Sequence, residues 1–394
     1  MMDITQVSFN YPPSAWGGAE NYAHIMGRHL SNRGNHVRVV TASKHNGSRL
    51  YTYEGMSIQA FPTRSAFPFS LITRTYNPSM LFRKMGGGDL AHVHVIGGFS
   101  PLVFNKLRSN HKALAWTAHD PQLMCGCCLL PRDGSKCKGL GSTKCAGCLN
   151  PLDHLRRRMS TRHHVPYVDA FIAPSKWMRD LFKDAGYPKD KLHLIMNGID
   201  TSNIPFTKVP TEPVILFCGK MSPNKGLMVL LRAFDMVLDE LPDAKLLLVG
   251  DGKKYSEGRA YATRAGIIDS TIWVGYQKNT EFFYKSAKVV AHPSTIPENC
   301  SLVLLEAHAS GRASVSTKVG GNGEIIDPGV TGLLSHPGDE ADLAEKLVGI
   351  LASDDVARRM GHAARARAES LFSINRAVDD HCHLFQNLVK EASA

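Results

Sequence analysis

Two series of short apolar segments, each separated by amphipathic segments, run along this chain and restrict its fold more than any other feature. In the first series, residues 4–10 and 37–41 have the composition of strands and flank a helical pattern at 20–33. The second series begins at residue 214, and its first helical pattern covers residues 226–241. Strands that alternate with helices form parallel sheets. The sequence therefore predicts an α/β fold with two Rossmann-like parallel-sheet domains that face a cleft.

The domain boundary is predicted in the polar, proline-bearing stretch from Asn197 to Pro213. The chain has 394 residues, 43% of them hydrophobic, which is enough for two separate cores. We expect one domain over residues 1–200 with an insert at 125–148, a second over 201–375, and a C-terminal helix at 376–394 that packs back toward the first domain. The other predicted strands are 91–96, 113–118 and 170–173 in the first domain and 214–218, 245–249, 271–274 and 289–292 in the second.

The charge of the chain indicates anionic partners. Its 46 basic and 35 acidic residues give a net charge of +11 and a pI near 9.2, so the surface should attract phosphates, nucleotides or anionic lipid headgroups. The densest basic cluster, at 156–164, fits either a solvated helix face or a docking patch for a membrane or a phosphorylated acceptor. No apolar run reaches the roughly 18 residues of a membrane span, and no signal peptide is apparent. We expect a cytoplasmic protein, with peripheral membrane contact left open.

Two carboxylates, Glu298 and Glu306, lie eight positions apart on either side of an apolar run. The predicted strand at 289–292 precedes Glu298, so this residue should follow the carboxyl end of a strand, where open parallel sheets bind ligands. A helix is predicted from Ser301, and a glycine-rich loop follows at 320–324. Either glutamate alone also fits a charge at a helix end. Together, in this context, they indicate a site for a polyhydroxylated ligand such as a sugar nucleotide.

These motifs, in this order, resemble the GT-B glycosyltransferases of family 4, which are retaining enzymes that use nucleotide-diphosphate sugars. The resemblance spans nearly the whole chain. It rests on the segments 17–20, 197–200 and 219–226, on the paired glutamates, and on Gly320 with Gly321. It implies transfer of a hexose or N-acetylhexosamine, with UDP as the expected nucleotide, to a hydroxyl acceptor that is a glycan, a lipid-linked molecule or a small molecule. The acceptor is expected in the first domain and the donor in the second.

The resemblance also implies roles for residues of the second domain. Glu298 would lie beside the donor sugar, and Glu306 would accept hydrogen bonds from the ribose hydroxyls. Lys220 and Lys225 would bracket the diphosphate and stabilise the charge of the leaving nucleotide. Lysine at position 220 replaces the usual arginine and lacks its planar fork. Backbone groups that would contact the donor belong to Gly219, Asn299, Cys300, Ser301 and Leu302.

In the first domain, the resemblance places Gly17 and Gly18 near the donor diphosphate, where their N–H groups can approach it closely. It places His119 near the donor sugar and the acceptor. Because the leaving phosphate can take the acceptor proton in retaining enzymes of this kind, no strong protein base is required, and Asp120 is an expected acceptor ligand. The chain lacks an Asp-x-Asp pair at a strand end, so no catalytic divalent metal is expected.

A cysteine-rich insert follows His119 and Asp120. It contains six of the nine cysteines, which are Cys125, Cys127, Cys128, Cys137, Cys145 and Cys148. Four thiolates could hold Zn²⁺ tetrahedrally, and we take Cys125, Cys128, Cys137, Cys145 and Cys148 as the candidate ligands. An iron–sulfur cluster also fits a set of cysteine ligands. Stable disulfides are less expected in the cytoplasm, and six free thiols in one loop would oxidise.

Two other functions remain open at this stage. The basic charge and the zinc-like knuckle would also suit a zinc-containing nucleic-acid-binding or regulatory protein. A GT-B relative could instead epimerise or hydrolyse nucleotide sugars. Two complete α/β halves with paired glutamates favour a transferase, and no nucleic acid is then expected as a partner.

Overall fold

The chain forms two compact units. The computed structural model describes residues 1–13, 17–43, 48–62, 86–96, 102–121 and 164–394. Unit 1 contains Met1–Asn197 together with Asn375–Ala394, and unit 2 contains Gly198–Ile374. The first crossing between the units therefore lies at the start of the polar stretch from Asn197. The C-terminal segment returns to unit 1, and the cysteine-rich insert and most of the basic cluster lie outside the described residues.

Unit 1 is built on a sheet of eight described strands in the order β3-β4-β2-β1-β5-β6-β7-β8. Neighbouring strands are parallel except β3 and β4, which form an antiparallel hairpin. Glu54 and Gly55, with φ values of 44° and 81°, make the tight turn between these two strands. The strands are β1 Asp3–Ser8, β2 His36–Ser43, β3 Arg49–Tyr53, β4 Met56–Pro62, β5 Gly88–Val93, β6 His111–Thr117, β7 Ala170–Ala173 and β8 Leu192–Leu194.

The described helices of unit 1 are α1 Gly18–Asn32, α2 Leu102–Asn110 and α3 Lys176–Asp184, and the C-terminal helix α11, Ile374–Glu391, belongs to it from Asn375 onward. Ser175 begins α3 by accepting a hydrogen bond from the Met178 N–H at 3.0 Å. Buried aromatic side chains, among them Phe104, Trp116 and Phe171, fill the core between α2, α3 and the sheet. This core holds β1, β5 and β6 in place, so the ends of these strands are fixed.

Unit 2 is built on a six-stranded parallel sheet with the order β11-β10-β9-β12-β13-β14. From β9 the chain first adds strands on one side of the sheet and then crosses to add the rest on the other side, as in dinucleotide-binding folds. The strands are β9 Val214–Cys218, β10 Lys245–Val249, β11 Thr271–Gly275, β12 Val289–His292, β13 Ala313–Thr317 and β14 Gly332–Ser335. The predicted strands of this half agree with these bounds within one residue.

Helices cover the sheet of unit 2, and a core that includes Phe217, Leu230 and Phe234 joins them to it. The helices are α4 Leu227–Glu240, α5 Tyr255–Arg264, α6 Glu281–Ser286, α7 Leu302–Ala309, α8 Asn322–Ile325, α9 Glu340–Leu351 and α10 Asp354–Leu371. The predicted helix at 226–241 exceeds α4 by one residue at each end, because Gly226 and Leu241 are its caps. Among the described residues, no helix has both the length and the apolar composition needed to cross a membrane.

Arg312 is the largest fully buried side chain of the described residues. Its guanidinium donates hydrogen bonds to backbone carbonyls, among them those of Tyr284 at 3.0 Å, Thr207 at 2.8 Å and Ser310 at 2.9 Å. Each donor of a buried guanidinium needs an acceptor, and main-chain oxygens supply them here. Arg312 therefore ties the segment around residue 207 to α6 and to the end of α7.

Candidate functional site

The candidate site of unit 2 lies at the carboxyl ends of the neighbouring strands β9 and β12. The order in which strands are added to the sheet reverses between these two strands. The loops that follow these strands lie at the carboxyl edge of the sheet, and open parallel sheets bind ligands at this position. The β9 loop contains Gly219, Lys220 and Lys225, and the β12 loop contains Glu298. Most of the residues predicted for the donor site thus follow these two neighbouring strands.

Close backbone contact holds the two loops together. The Thr295 N–H donates to the Asn224 carbonyl at 2.9 Å. Gly226 has a φ of 73°, and a Cβ at this position would lie 1.8 Å from the Pro293 carbonyl oxygen. Glycine is therefore required here both for its conformation and for the close approach. Lys225, the residue before Gly226, is in this way fixed next to the β12 loop.

Lys225 and Glu298 form a direct ion pair. Lys225 Nζ lies 2.6 Å from Glu298 Oε1, and the Ser294 hydroxyl donates to the same oxygen at 2.7 Å. The Glu298 side chain is 16% exposed and that of Lys225 is 32% exposed. Burial raises the pKa of Glu298, but the charge of Lys225 and the hydrogen bonds from Lys225 and Ser294 outweigh it, so the pKa falls below its usual value. Glu298 is therefore ionised at neutral pH.

His292, the last residue of β12, also faces Glu298. Its Nε2 lies 3.8 Å from Glu298 Oε1 and has no hydrogen-bond partner among the described residues. Burial lowers the pKa of His292 to about 4, Glu298 opposes this effect, and Lys225 adds to it. The ring is thus neutral at pH 7. His292 is not among the residues predicted for the site, although its position at the carboxyl end of a strand could have indicated it.

The glycine-rich loop at 320–324 fixes the backbone of Glu298. The Gly321 N–H donates to the Glu298 carbonyl at 2.7 Å. Gly320 has a φ of 53°, and a Cβ there would lie 2.1 Å from the same carbonyl oxygen. Among the described residues, no hydrogen bond reaches Oε2 of Glu298. Glu298 is therefore anchored through its main chain and through Oε1, which leaves Oε2 for a ligand.

The N-terminus of α7 follows Glu298 closely. Ser301 precedes the helix with extended backbone geometry, and its side chain makes no capping hydrogen bond. Leu302 is the first helical residue, and Asn299 and Cys300 form the short connection from Glu298. The first N–H groups of a helix lack partners within the helix and carry partial positive charge. This end of α7 suits an anionic group of a ligand.

Glu306 lies one turn further along α7, in the wall of a cavity of about 410 Å³. The Tyr284 hydroxyl donates to Glu306 Oε2 at 2.7 Å. Burial raises the pKa of Glu306, and the hydrogen bond from Tyr284 partly opposes this. Lys278, Asn279 and Thr280, which follow β11 and precede α6, line the same cavity. Glu306 thus has a different environment from Glu298, with no basic side chain in an ion pair with it among the described residues.

Lys220 takes no part in the ion pair between Lys225 and Glu298. It is exposed, and it makes no ion pair with a described residue. Gly219, with a φ of 140°, is approached closely by Gly250, where a Cβ would lie 1.9 Å from the Gly219 carbonyl oxygen. The structure therefore brings Lys225 into contact with Glu298, and it leaves the Lys220 side chain available to an anion.

In unit 1, the predicted residues lie after β1 and β6. Gly17 is the N-cap of α1, and Gly18 is its first residue. His119 and Asp120 follow β6, and the His119 ring packs edge-on against Tyr22 of α1 with 5.7 Å between ring centroids. Asp120 is exposed. The glycine turn before α1 and the histidine after β6 are thus joined through Tyr22.

Two further side chains contact His119 or its partner and were not predicted. His94 Nδ1 lies 3.0 Å from His119 Nε2, and Gln6 Nε2 lies 3.2 Å from His94 Nε2. Burial lowers the pKa of His119 to about 3, and His381 of α11 adds to this effect. His119 is therefore a neutral hydrogen-bonding group at pH 7. His94 and Gln6 could not be identified from the sequence, because in it they resemble ordinary residues within a strand or just after one.

One group of potential metal ligands occurs among the described residues. The ligand atoms of His336, Asp339 and Asp342 lie within 4.8 Å of one another. Asp339 already accepts a hydrogen bond from the Asp342 N–H at 3.0 Å, and Lys346 forms an ion pair with Asp342. These contacts explain the cluster as the N-terminal cap of α9. The predicted cysteine ligands lie outside the described residues.

Two family models together match most of the chain. The model described as Glycosyltransferase Family 4 matches residues 16–203. The model described as Glycosyl transferases group 1 matches residues 200–367. The border between the matches lies within a few residues of the crossing from unit 1 to unit 2.

Curated proteins with similar sequences include several glycosyltransferases. The chain is 25% identical over 373 residues to an uncharacterized glycosyltransferase of Methanocaldococcus jannaschii, covering 87% of each protein. It is 28% identical to N-acetyl-alpha-D-glucosaminyl L-malate synthase of Bacillus anthracis over 46% of this chain and 47% of that protein. It is 35% identical to D-inositol 3-phosphate glycosyltransferase of Streptomyces scabiei over 41% of this chain and 39% of that protein. The chain thus spans less than half the length of the last two relatives.

Solved structures share the fold along nearly the whole chain. Anabaena HepE in complex with UDP superimposes with a TM-score of 0.74 at 18% identity, covering 98% of this chain and all (100%) of that one. Sucrose-phosphate synthase from Thermosynechococcus elongatus gives a TM-score of 0.75 at 21% identity, covering 99% and 100%. At these identities the likeness establishes the fold alone, which is GT-B with two parallel-sheet α/β domains.

Proposed function

The chain belongs to glycosyltransferase family 4, and from this premise we propose that it transfers a hexose or N-acetylhexosamine from a nucleotide-diphosphate sugar to a hydroxyl acceptor with retention of configuration. The observation that carries the proposal is the Lys225–Glu298 ion pair at 2.6 Å, between the loops after β9 and β12 and close to the N-terminus of α7. A cation, a fixed carboxylate and a helix N-terminus that follows it in the chain match a ligand that has both phosphates and hydroxyls.

In this proposal, Lys225 binds the diphosphate of the donor. Its ammonium has three donors, of which Glu298 occupies one, so it can also hydrogen-bond phosphate oxygens. The exposed Lys220 adds a second positive charge. As the bond between the anomeric carbon and the phosphate oxygen breaks, negative charge grows on the leaving nucleotide, and both cations then bind it more strongly than they bind the intact donor.

Glu298 orients the donor sugar, and the leaving phosphate accepts the proton of the acceptor. The free Oε2 of Glu298 accepts a hydrogen bond from a donor-sugar hydroxyl and orients the anomeric carbon. The acceptor oxygen forms its bond on the face from which the phosphate departs, and the acceptor proton passes to the leaving phosphate oxygen. In unit 1, His119 and Asp120 keep the roles that the resemblance implies, as a sugar-contacting residue and an acceptor ligand. This route uses no protein base and no divalent metal.

UDP is the proposed nucleotide. HepE, which was crystallised in complex with UDP and with UDP-glucose, has the same fold as this chain. The proposed ribose ligand is Glu306, which lines the cavity of about 410 Å³ in unit 2. A peripheral membrane acceptor remains compatible with the net charge of +11.

A panel of nucleotide sugars tests the function. The matching donor should raise the melting temperature of the purified chain, because it binds only the folded state. With that donor and an acceptor, NMR of the product should show the anomeric configuration of the donor. An inverted product would contradict the retaining mechanism. Release of free sugar or of an isomer without acceptor would indicate a hydrolase or an epimerase, and steeply salt-dependent nucleic-acid binding without any donor would contradict the transferase.

A further inference from the structure

Three buried side chains form a chain of contacts that leads to the cavity of unit 2. Cys218 is the last residue of β9, Tyr284 belongs to α6, and Glu306 belongs to α7. Tyr284 is 1% exposed and Cys218 is 8% exposed. The Tyr284 hydroxyl donates to the Glu306 carboxylate, and Cys218 packs in the same buried cluster as Tyr284. Three different elements of the unit therefore meet around Tyr284.

The single proton of the Tyr284 hydroxyl goes to Glu306. The distance to Glu306 Oε2 is 2.7 Å, whereas the other oxygen in reach, the Val303 carbonyl, lies at 3.5 Å. A carboxylate oxygen is a stronger hydrogen-bond acceptor than a main-chain carbonyl oxygen. The thiol of Cys218 is weak both as a donor and as an acceptor. Tyr284 therefore donates to Oε2 of Glu306.

This contact also determines the direction in which Glu306 presents its other oxygen. Among the described residues, no hydrogen bond reaches Oε1 of Glu306, while Oε2 is held by Tyr284. The carboxylate lies in the wall of the cavity, and Tyr284 lines the same cavity. A carboxylate fixed at one oxygen can rotate little, so the remaining oxygen keeps a defined position.

We propose that Tyr284 is a positioning residue for nucleotide recognition, which holds Oε2 of Glu306 so that Oε1 accepts hydrogen bonds from the ribose hydroxyls. The inference rests on the proposed function, because it takes Glu306 as the ribose ligand. It assigns to α6 a part in donor binding through a residue that does not itself touch the nucleotide. The Tyr284 ring packs in the core, and its hydroxyl acts on the ligand only through Glu306.

Removal of the hydroxyl alone tests this role. Tyr284→Phe keeps the ring and leaves Glu306 without its donor, so the carboxylate can turn away from the ribose. Affinities are measured by calorimetry for UDP, 2′-deoxy-UDP and 3′-deoxy-UDP. The wild type should lose about tenfold in affinity with at least one deoxy nucleotide, as for a hydrogen bond to a charged group. In Tyr284→Phe the affinity for UDP should fall about tenfold while that for this deoxy nucleotide changes little.

The control variant is Tyr261→Phe. Tyr261 lies in α5 of the same unit and packs against its core, and its hydroxyl makes no hydrogen bond to another described residue. This variant should keep the wild-type preference for UDP over the deoxy nucleotide. In a Glu306→Gln background, Tyr284→Phe should no longer lower the affinity for UDP about tenfold, because the charged acceptor on which it acts is gone.

The outcomes separate the inference from the function on which it rests. If Tyr284→Phe weakens UDP and both deoxy nucleotides by the same factor, the residue has only a structural role and the inference is wrong. If Tyr284→Phe retains the wild-type preference for UDP, the inference is also wrong, while nucleotide binding by the wild type still supports the proposed function. If the wild type binds no nucleotide, the proposed function fails and the inference fails with it.

Discussion

The buried hydroxyl of Ser294 contributes to the ionisation of the Glu298 carboxylate. It is fully buried, and its hydroxyl lies 2.7 Å from Glu298 Oε1, closer than the 3.2 Å to the Asn224 and Ile296 carbonyls. The proton therefore goes to Glu298. Together with Lys225, Ser294 stabilises the ionised form of this residue in an environment that opposes charge.

Ser294→Ala should lower turnover about tenfold, which corresponds to the loss of one hydrogen bond to a charged group. The pKa of Glu298 should rise, because its ionised form loses a donor, so the acid limb of the pH–rate profile should move to higher pH. The check is turnover against pH for Ser294→Ala and for the control Ser286→Ala. Among the described residues, the Ser286 hydroxyl bonds only the Phe282 carbonyl of its own helix. An unchanged profile in Ser294→Ala would refute the role given to Ser294.

At the scale of elements, the conformation of the loop between β9 and α4 requires glycine at position 226, where the backbone contacts Pro293 in the loop after β12. Gly226→Ala should destabilise unit 2 by more than about 2 kcal/mol, because the residue has a φ of 73° and its Cβ would overlap the Pro293 carbonyl. Gly349→Ala should stabilise it by about 0.5–1 kcal/mol, since Gly349 lies within α9 with open space around it. Urea unfolding measures both, and equal effects would contradict this account of Gly226.

The C-terminal helix α11 buries histidines together with the sheet of unit 1. His381 packs against His92 with 5.5 Å between ring centroids, and His94 and His119 continue the cluster. Burial lowers the pKa of each of these four residues, to about 4 for His381 and about 3 for His119. The unfolded chain binds protons at these rings near pH 6.5, and the folded chain does not.

Stability of unit 1 should therefore be greatest above pH 6.5 and should fall as the pH is lowered from 6.5 toward 4, since the unfolded state then binds more protons. His381→Gln should remove about 1.4 kcal/mol of the difference in unfolding free energy between pH 7.5 and pH 5.5. The exposed His383 of the same helix supplies the control, His383→Gln. A His381→Gln variant with the wild-type pH dependence would contradict this explanation.

The sequence predicted several strands that are apolar throughout, and it did not predict the hairpin strands β3 and β4, although Met56, Ile58 and Phe61 of β4 are buried. Strand β12 was predicted with its observed bounds because it is apolar throughout. Strand β3 was not predicted, because it is an edge strand whose side chains are mostly exposed and show no apolar alternation. The motif order placed Lys225 and Glu298 in one site, whereas Ser294 and Tyr284 have roles that depend on tertiary contacts and have no separate pattern in the sequence.

At the scale of the whole molecule, the chain contains two sheets with the same kind of ligand edge. In unit 2 the edge follows β9 and β12, and in unit 1 the predicted residues follow β1 and β6. A net charge of +11 favours the approach of an anionic donor to either unit. Each unit thus presents loops at the carboxyl ends of its parallel strands, as the GT-B fold requires.

We propose that the cysteine-rich segment at 125–148, which lies outside the described residues, holds a structural metal. Purified protein should contain about one zinc ion per chain, or iron if a cluster forms, because four thiolates enclose such an ion tetrahedrally. Cys145→Ser should reduce the metal content and lower the melting temperature. Metal analysis of the wild type, of this variant and of Cys382→Ser, which lies in α11, provides the check. Metal-free protein with normal folding and activity would end this expectation.

Turnover of variants at the ion pair of unit 2 tests the central claim most directly. Lys225→Ala removes the cation from the diphosphate, and Glu298→Gln keeps the size of the side chain but removes its charge. With the matching donor and acceptor, each should lower the rate of nucleotide release at least about 100-fold, while both variants stay folded. Wild-type turnover in either folded variant would contradict the claim that this ion pair forms the catalytic site.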